Sequence, residues 1–291
     1  MTTLSELPDH WSPGDTFASS SGAGGEVVID LRDGAPRMLG STARVSVIVP
    51  TLNEEENVRA VLPAIPSWVH EVLLVDGGSV DGTVEAARAV RPDIRVLTEH
   101  RRGKGIALQT GWQEATGEII VTLDADGSTD PAEIPAFVGS LLAGADNGEG
   151  SRLLHGGGTD DMGPLRRSGN WALTRLVRLL YGGRYTDLCY GYNAFWRHAV
   201  RCFDGDADGF EIETFMNVRA LQHGLRVVEV PSFERPRLHG QSNLRTFADG
   251  WRVLRTIFRE HDTAQARLTW AAAGTVGVSA ATIAASVGGG W

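Results

Sequence analysis

The chain has 291 residues and a formal net charge of −9 at pH 7. That is enough for a sizeable core in one large domain, or one domain with an appendage, and the acidic balance argues against general nucleic-acid binding. The two cysteines, Cys189 and Cys202, lack metal-ligand or redox spacing and fit a reducing compartment better than a disulfide framework.

Residues 1–43 are rich in Ser, Gly, Asp and Pro. They predict a flexible arm, with residues 26–31 as a strand candidate. No basic segment followed by an apolar run opens the chain, so a cytoplasmic protein is expected. Residues 45–49 read as a buried strand that Pro50 ends, and Asn53 is placed to cap the following helix, with Glu54 to Glu56 in or near its first turn. A second strand, residues 69–75, ends in Asp76-Gly77-Gly78-Ser79, where glycines permit a tight turn and close approach of a ligand. Ser79 or Asp81 is available to cap the next helix. A third strand, residues 94–97, leads to Gly103-Lys104-Gly105, a cation on a bendable loop that suits a phosphate, with a solvated lysine as the plain alternative.

After a helix over 106–116, residues 119–123 form an apolar strand that ends in Asp124-Ala125-Asp126. Ligands of open α/β sheets sit beyond the carboxyl ends of strands. Two carboxylates delivered there are hard oxygen ligands suited to Mg²⁺ or Mn²⁺ shared with substrate phosphates. The alternative is that they only cap the helix that begins near Pro131. Residues 44–145 thus alternate strand and helix, which predicts a mostly parallel sheet with helices on both faces. The absence of Gly-x-Gly-x-x-Gly after the first strand weighs against a dinucleotide dehydrogenase, and no Walker-type loop is present.

The series Pro50-Thr51-Leu52-Asn53-Glu54, Asp76-Gly77-Gly78-Ser79, Gly103-Lys104-Gly105 and Asp124-Ala125-Asp126 resembles the family 2 glycosyltransferases, whose fold is the Rossmann-like GT-A α/β fold. Within them it looks most like the dolichyl- and polyprenyl-phosphate mannose or glucose synthases, over residues 44–245. The resemblance implies a nucleotide-sugar site at Pro50, Thr51, Asn53, Glu54, Asp76 and Ser79, with Lys104 near phosphate and a divalent metal on Asp124 and Asp126. Two departures stand out. The family has Asp-Asp-Gly-Ser at 76–79, and the synthases carry a residue and then Gln where this chain has Gly127-Ser128. The second leaves a third protein ligand to the metal open.

Residues 146–163 are Gly-rich and read as a flexible stretch, a lid or a surface loop. Within it Gly150-Ser151-Arg152 matches the family's Gly-Ser-Arg, which implies that Arg152 faces phosphate. A helix over 164–181 places Leu165, Ala172, Leu173, Leu176 and Leu180 on one face, expected to pack on the sheet, and Arg167, Trp171, Arg175 and Arg178 on another. Basic residues with a tryptophan suit an anionic membrane surface or an ordinary solvated face.

The segment from Asp187 to Ala194 resembles one beside the sugar and acceptor, with Asn193 where the family has Arg. Glu213, with Glu211 as competitor, matches a carboxylate that bonds sugar hydroxyls. Residues 226–231 read as an edge strand. Arg237, Ser242 and Arg245 belong to a stretch that in the family closes over the diphosphate, with Asn243 where the family has Lys. Residues 235–259 contain six Arg and one acidic residue, Asp249, a local reversal of sign that points to an anionic ligand or surface. Residues 269–291 carry no charge but are rich in Ala, Gly, Ser and Thr, so a surface helix or loose tail is expected rather than a membrane span.

The expected organisation is an arm (1–43), a GT-A domain (44–245) and a C-terminal amphipathic helix with an apolar tail (246–291). The expected activity is inverting transfer of one sugar from a GDP- or UDP-sugar to polyprenyl phosphate at the cytoplasmic membrane face. Asp126, Glu213, Arg152 and Asp187 are the catalytic candidates. The alternatives are a soluble hydroxyl acceptor, which needs a base from Glu211, Glu213 or Asp187, and a non-catalytic nucleotide-sugar binding module.

Overall fold

The structure, a computed structural model, describes residues 43–241 and 244–263, together with the backbone of strands Thr16–Ser21 (β1), Gly25–Asp30 (β2) and Arg37–Gly40 (β3). These three strands pair antiparallel in the order β1-β2-β3, and the strand candidate at 26–31 falls on β2. The flexible-arm reading otherwise concerns residues outside the described ones, as do Ser242, Asn243 and the apolar tail.

From residue 45 the elements are β4 (Val45–Thr51), α1 (Glu55–Ala64), β5 (Glu71–Asp76), α2 (Thr83–Val90), β6 (Arg95–Thr98), α3 (Lys104–Glu114) and β7 (Ile119–Thr122). There follow α4 (Ile134–Leu142), β8 (Asn147–Ser151), β9 (Gly158–Thr159), α5 (Pro164–Tyr181), β10 (Asn193–Trp196), α6 (Ile212–Gln222), β11 (Val227–Pro231), β12 (Phe233–Glu234) and a last described helix, α7, over residues 246–263. The main sheet has seven strands in the order β11-β8-β10-β7-β4-β5-β6, and only β10 runs against its neighbours.

The central strands are largely apolar on both faces because both faces are covered. Val47, Val49, Val72 and Leu74 pack with residues of α1, α2 and α4 on one face. Ile48, Leu73 and Val75 pack with residues of α3 and α6 on the other. The expected parallel α/β architecture is the one observed. Strands with this alternation emerge together at one sheet edge, and the polar loops after β4, β5 and β7 meet there.

Two local readings are corrected. Part of the stretch taken as flexible, Asn147–Ser151, is a fully buried strand between β10 and β11. Its composition is poor for a strand, but its glycines admit close neighbours. A Cβ on Gly150 would lie 2.7 Å from the Tyr192 carbonyl oxygen, and one on Gly148 2.6 Å from Ser140 Oγ. Tertiary fit here overrides propensity. The inward face of α5 is the expected one only in part: Leu173, Leu176 and Leu180 pack into it. Asn170, Thr174 and Val177 are buried, while Leu165 is 58% exposed and Ala172 is exposed. The helix shares a cluster with Val218 of α6, Val253 and Ile257 of α7 and, from the edge of the sheet, Val227 of β11.

Candidate active site

The loops after β4 and β5 are laced into one wall. Thr51 and Asp76 are register partners at the strand ends, and the Gly77 N–H donates to the Thr51 carbonyl at 2.9 Å. Asn53 sits at φ 56°, a left-handed conformation that Asn tolerates. Its side chain accepts from Val80 N (2.8 Å), and its own N–H donates to Ser79 Oγ (2.8 Å). Asn53 therefore does not cap α1, whose N-cap is Glu54. Asp76 accepts from Gly78 N (3.2 Å), Ser79 N (3.1 Å) and Ser79 Oγ (2.5 Å). Asn53, Asp76 and Ser79 thus build the wall, and Pro50, Thr51, Leu52, Glu54 and Gly77 face the space in front of it.

Lys104 is not the mobile loop cation expected. It begins α3 and is largely buried, with Nζ 2.7 Å from Asp124 Oδ1 and 2.8 Å from Glu213 Oε1. Burial opposes its charge, but the two carboxylates more than offset this and raise its pKa above the ordinary lysine value. Burial likewise raises the Glu213 pKa, against the pull of Lys104. The flanking glycines serve a backbone contact. The N–H groups of Gly105 and Ile106 donate to the Asp208 carbonyl at 2.9 and 3.3 Å. A Cβ on Gly105 would lie 1.9 Å from the Ala207 oxygen. Gly105→Ala is therefore expected to part α3 from residues 207–210 and to cost about 1–3 kcal/mol of stability, read by urea denaturation.

Asp124 and Asp126 both line the cleft. Asp126 Oδ1 accepts from Ser128 N (3.0 Å), and its backbone carbonyl accepts from Leu238 N (3.0 Å). Arg237 reaches Asp126 Oδ2 at 3.4 Å with one guanidinium nitrogen and grips the Glu54 carboxylate with another. Asn57 holds the same loop, accepting from His239 N (2.9 Å) and donating to the His239 carbonyl (3.1 Å). Residues 235–239 are thus folded onto both the β4 loop and the Asp-x-Asp turn. Gly127, at φ 78°, leaves room for Leu238, whose Cδ1 would lie 2.4 Å from a Cβ.

Among the described residues, no group of three or more His, Cys, Asp or Glu gathers as a self-sufficient metal cage. The donor set fits a hard divalent ion all the same, since Mg²⁺ is commonly held by one or two carboxylates plus substrate phosphates and water. Asp124 and Asp126 would supply the carboxylates.

Arg152 and Asp187 are bound mainly to each other and to their neighbours. Arg152 Nε and Nη2 donate to Asp187 at 2.6 and 2.9 Å, Nη1 donates to Glu234 at 2.9 Å, and Nη2 also reaches the Cys189 carbonyl at 3.1 Å. Asp187 accepts in addition from Asn170 Nδ2 (3.0 Å) and is buried. The pair joins β8, α5 and β12 behind the cleft, and the guanidinium rather than the carboxylate reaches the cleft wall. The Arg245 backbone N–H donates to Asp249 Oδ2 at 2.7 Å at the start of α7, and its side chain is exposed. Glu211 accepts from Gly209 N (3.1 Å), so of the three candidate bases only Glu213 lines the cleft. Asn193 is buried. Oriented to satisfy its neighbours, its amide nitrogen donates to the Tyr192 carbonyl (2.7 Å) and to Glu149 Oε2 (2.5 Å), so it presents nothing to the cleft.

The cleft has two lobes that share Lys104, Asp124, Asp126, Phe210 and Arg237. One of about 250 Å³ lies against the β4–β5 wall. The other, about 430 Å³, runs outward between α5 and α7 past Leu165, Leu173, Leu244 and Val253. Sequence reasoning missed Arg102 and Phe210, which line the cleft, and Gly191. A Cβ on Gly191 would lie 2.6 Å from Lys104 Nζ and 2.7 Å from Asp124 Oδ2. Arg102 had a signal, being part of the basic loop before Gly103. Gly191 also had one, lying in the segment from Asp187 to Ala194 that resembles one beside the sugar and acceptor, whereas Phe210 owes its place to tertiary packing.

A family model, Glycosyl transferase family 2, matches residues 46–203. Polyprenol monophosphomannose synthase of Mycolicibacterium smegmatis is 35% identical over 223 residues, 67% of this chain and 79% of that protein. Undecaprenyl-phosphate mannosyltransferase of Micrococcus luteus is 32% identical over 213 residues, 69% of this chain and 87% of that protein. Among solved structures, glucosyl-3-phosphoglycerate synthase from Mycobacterium tuberculosis, in complex with Mn²⁺, uridine diphosphate and phosphoglyceric acid, shares the fold. Its TM-score is 0.61 at 23% identity, with 76% of this chain and 79% of that one covered.

Proposed function

The chain belongs to glycosyltransferase family 2, and from that premise we propose that it is an inverting transferase. It moves one sugar from a GDP- or UDP-sugar to a polyprenyl phosphate at the cytoplasmic face of a membrane. The observation that carries this reading is the outer lobe of the cleft. Its floor is ionic (Lys104, Asp124, Asp126, Glu213), and toward α5 and α7 it gains the apolar side chains of Leu165, Leu173, Leu244 and Val253 beside the charged Asp161, Arg166 and Asp249. An acceptor with a phosphate head and a hydrocarbon tail matches that gain of apolar surface beyond the ionic floor.

The nucleotide occupies the inner lobe against Pro50, Thr51 and Glu54. Asp124 and Asp126 would hold a divalent ion, which when bound would supply Lewis-acid stabilisation to the departing diphosphate. Lys104, Arg237 and Arg102 add positive charge around it. A phosphate acceptor is substantially ionised near neutral pH, its second pKa being about 6, so no general base is needed. It attacks C1 from the side opposite the diphosphate. Gly191 and Phe210 shape the space in which the sugar sits.

The helices that bound the exit also support membrane association. They expose Trp171 (57%), Phe247 (80%) and Trp251 (67%) alongside Arg175, Arg252 and Arg255. Such a surface seats rings at the headgroup level and arginines against anionic lipid. Among the described residues no helix is long and apolar enough to cross a membrane. A second reading, transfer to a soluble acceptor, is favoured by Asn193. Where the synthases have Arg, this side chain is turned inward to Glu149 and contributes no acceptor-side charge. Glu213 is then the base.

The test is transfer from labelled GDP-mannose and UDP-glucose, with Mn²⁺ and then with EDTA, to a short polyprenyl phosphate and separately to phosphoglyceric acid. Lipid labelling from one donor supports the main reading. Labelling of the soluble acid alone, or donor hydrolysis alone, moves the acceptor to a soluble molecule. In parallel, the Trp171→Ala/Trp251→Ala protein is expected to sediment with phosphatidylglycerol vesicles about tenfold less than the parent. Equal sedimentation returns the two helices to ordinary surface.

A further inference from the structure

Each carboxylate of the Asp-x-Asp turn already faces a cation from a distant part of the chain. Lys104 Nζ lies 2.7 Å from Asp124 Oδ1 and 3.0 Å from Oδ2, and Arg237 Nη1 lies 3.4 Å from Asp126 Oδ2. Both cations have a second carboxylate to keep, Glu213 for Lys104 at 2.8 Å and Glu54 for Arg237. Both also line the lobe against the β4–β5 wall as well as the outer one. The two are therefore placed between the candidate metal ligands and the space where a diphosphate would lie, each with one partner to exchange and one to retain.

We propose that Lys104 and Arg237 are exchangeable counter-ions of Asp124 and Asp126. In this scheme a divalent cation and a diphosphate bind strongly only as a pair, each side chain passing from carboxylate to phosphate oxygen as the cation arrives. The inference rests on the nucleotide-sugar reading of the cleft and adds the order of binding to it.

The charges argue for pairing. Two cations against Asp124, Asp126, Glu54 and Glu213 leave the cluster formally negative, so a diphosphate entering alone is repelled. A divalent cation entering alone competes with two fixed positive charges for the same oxygens. Entering together, cation and diphosphate nearly neutralise each other, and the diphosphate receives the two side chains the metal displaces. Lys104 cannot retreat far, because its helix start is fixed by the Asp208 carbonyl and Gly191 closes over its ammonium. Arg237 is held through its loop, with Nε donating to the His239 carbonyl at 2.6 Å. Exchange therefore requires only side-chain torsions. By linkage, the factor by which diphosphate tightens metal binding equals the factor by which metal tightens diphosphate binding.

The test is Mn²⁺ binding followed by electron paramagnetic resonance on the intact protein, without nucleotide and with saturating UDP or GDP. Parent protein is expected to bind Mn²⁺ at least about twentyfold more tightly with one of the two nucleotides, within the usual range of coupling. Lys104→Gln and Arg237→Gln are each expected to tighten nucleotide-free Mn²⁺ binding about three- to tenfold and to shrink the nucleotide enhancement. Lys104→Arg should restore the parent pattern. Arg237 lies on a loop, so its variant keeps the test open if the Lys104 variant fails to fold. A merely structural role predicts weaker Mn²⁺ binding in both conditions. That outcome, or variants that leave both affinities unchanged while the parent shows enhancement, overturns the exchange and leaves the transferase reading standing. Absence of enhancement by either nucleotide in the parent overturns the exchange and the nucleotide-sugar reading together.

Discussion

Asp126→Ala is expected to lower sugar transfer at least about a thousandfold, roughly 4 kcal/mol of transition-state stabilisation, with little change in folding stability. The side chain is partly exposed in the cleft, and among the described residues its one backbone bond is that from Ser128 N at 3.0 Å. Losing that bond costs about 0.5–1.5 kcal/mol. The catalytic loss is larger because two functions disappear at once. One of the two carboxylates available to a hard cation is removed, and Arg237 loses one of its two anionic partners, so residues 235–239 are held to the Asp-x-Asp turn and the loop after it through Leu238 N, Arg235 N and the Arg235–Asp130 ion pair. Asp126→Asn separates these functions. It keeps the oxygen that accepts from Ser128 but lacks the charge, and should be nearly as inactive. The measurement is kcat/KM at saturating Mg²⁺ and Mn²⁺, with a urea melt of each variant. Unchanged turnover at saturating Mg²⁺ would sink the metal assignment.

The parallel half of the sheet was legible because its signal is local. Runs such as residues 45–49 and 119–123 are apolar on both faces but for Ser46 and Thr122, and only a strand covered on both sides needs that. The motif ends were legible as well: the loops after β4, β5 and β7 do meet at one edge, and Glu54, Lys104, Asp124 and Asp126 share one cleft. What sequence reasoning lost was the direction in which side chains point. Asp76, Asn53 and Ser79 look like ligand contacts by motif, yet their polar groups close the wall instead. Arg152 looks like a phosphate contact, yet Asp187 and Glu234, distant in sequence, take most of its donors. Lys104 between two glycines looks mobile, because the carbonyls of residues 207 and 208 that demand those glycines lie a hundred residues away. Strand β8 was invisible because Asn-Gly-Glu-Gly-Ser carries no apolar pattern. Its place depends on a polar cluster that only the assembled sheet creates.

That cluster yields the second large effect. Glu149→Gln is expected to stabilise the protein in mildly alkaline solution by about 4 kcal/mol and to leave its stability near pH 4 almost unchanged. Glu149 is buried on β8, opposite Asn193 of β10. Ionised, its carboxylate accepts from Asn147 Nδ2 at 2.5 Å and from the Asn193 amide nitrogen at 2.5 Å; protonated, it donates to the Asn193 amide oxygen turned over to meet it. Burial is the main force on it and, although the Asn147 bond pulls the other way, it pushes the carboxyl from an ordinary 4.5 to about 8, helped by the negative charges of Glu229, Glu213 and Asp187. A carboxyl raised in the folded state stabilises the fold fully below its unfolded value, and that contribution disappears as pH rises through the folded value. The window is therefore pH 4.5 to about 8. Gln keeps the shape and the neutrality at every pH, and the Asn193 amide has only to turn over to accept from it. The measurement is urea denaturation of parent and variant from pH 4 to 9, plotted as their difference. Glu229 and Glu213 are also raised by burial, so the parent curve falls for several reasons, while the difference isolates Glu149. A difference flat in pH would mean that Glu149 is ionised in the folded protein. Asn147 and Asn193 would then be holding a buried anion beside the catalytic strands, and the polar composition of β8 would have to be explained by that charge.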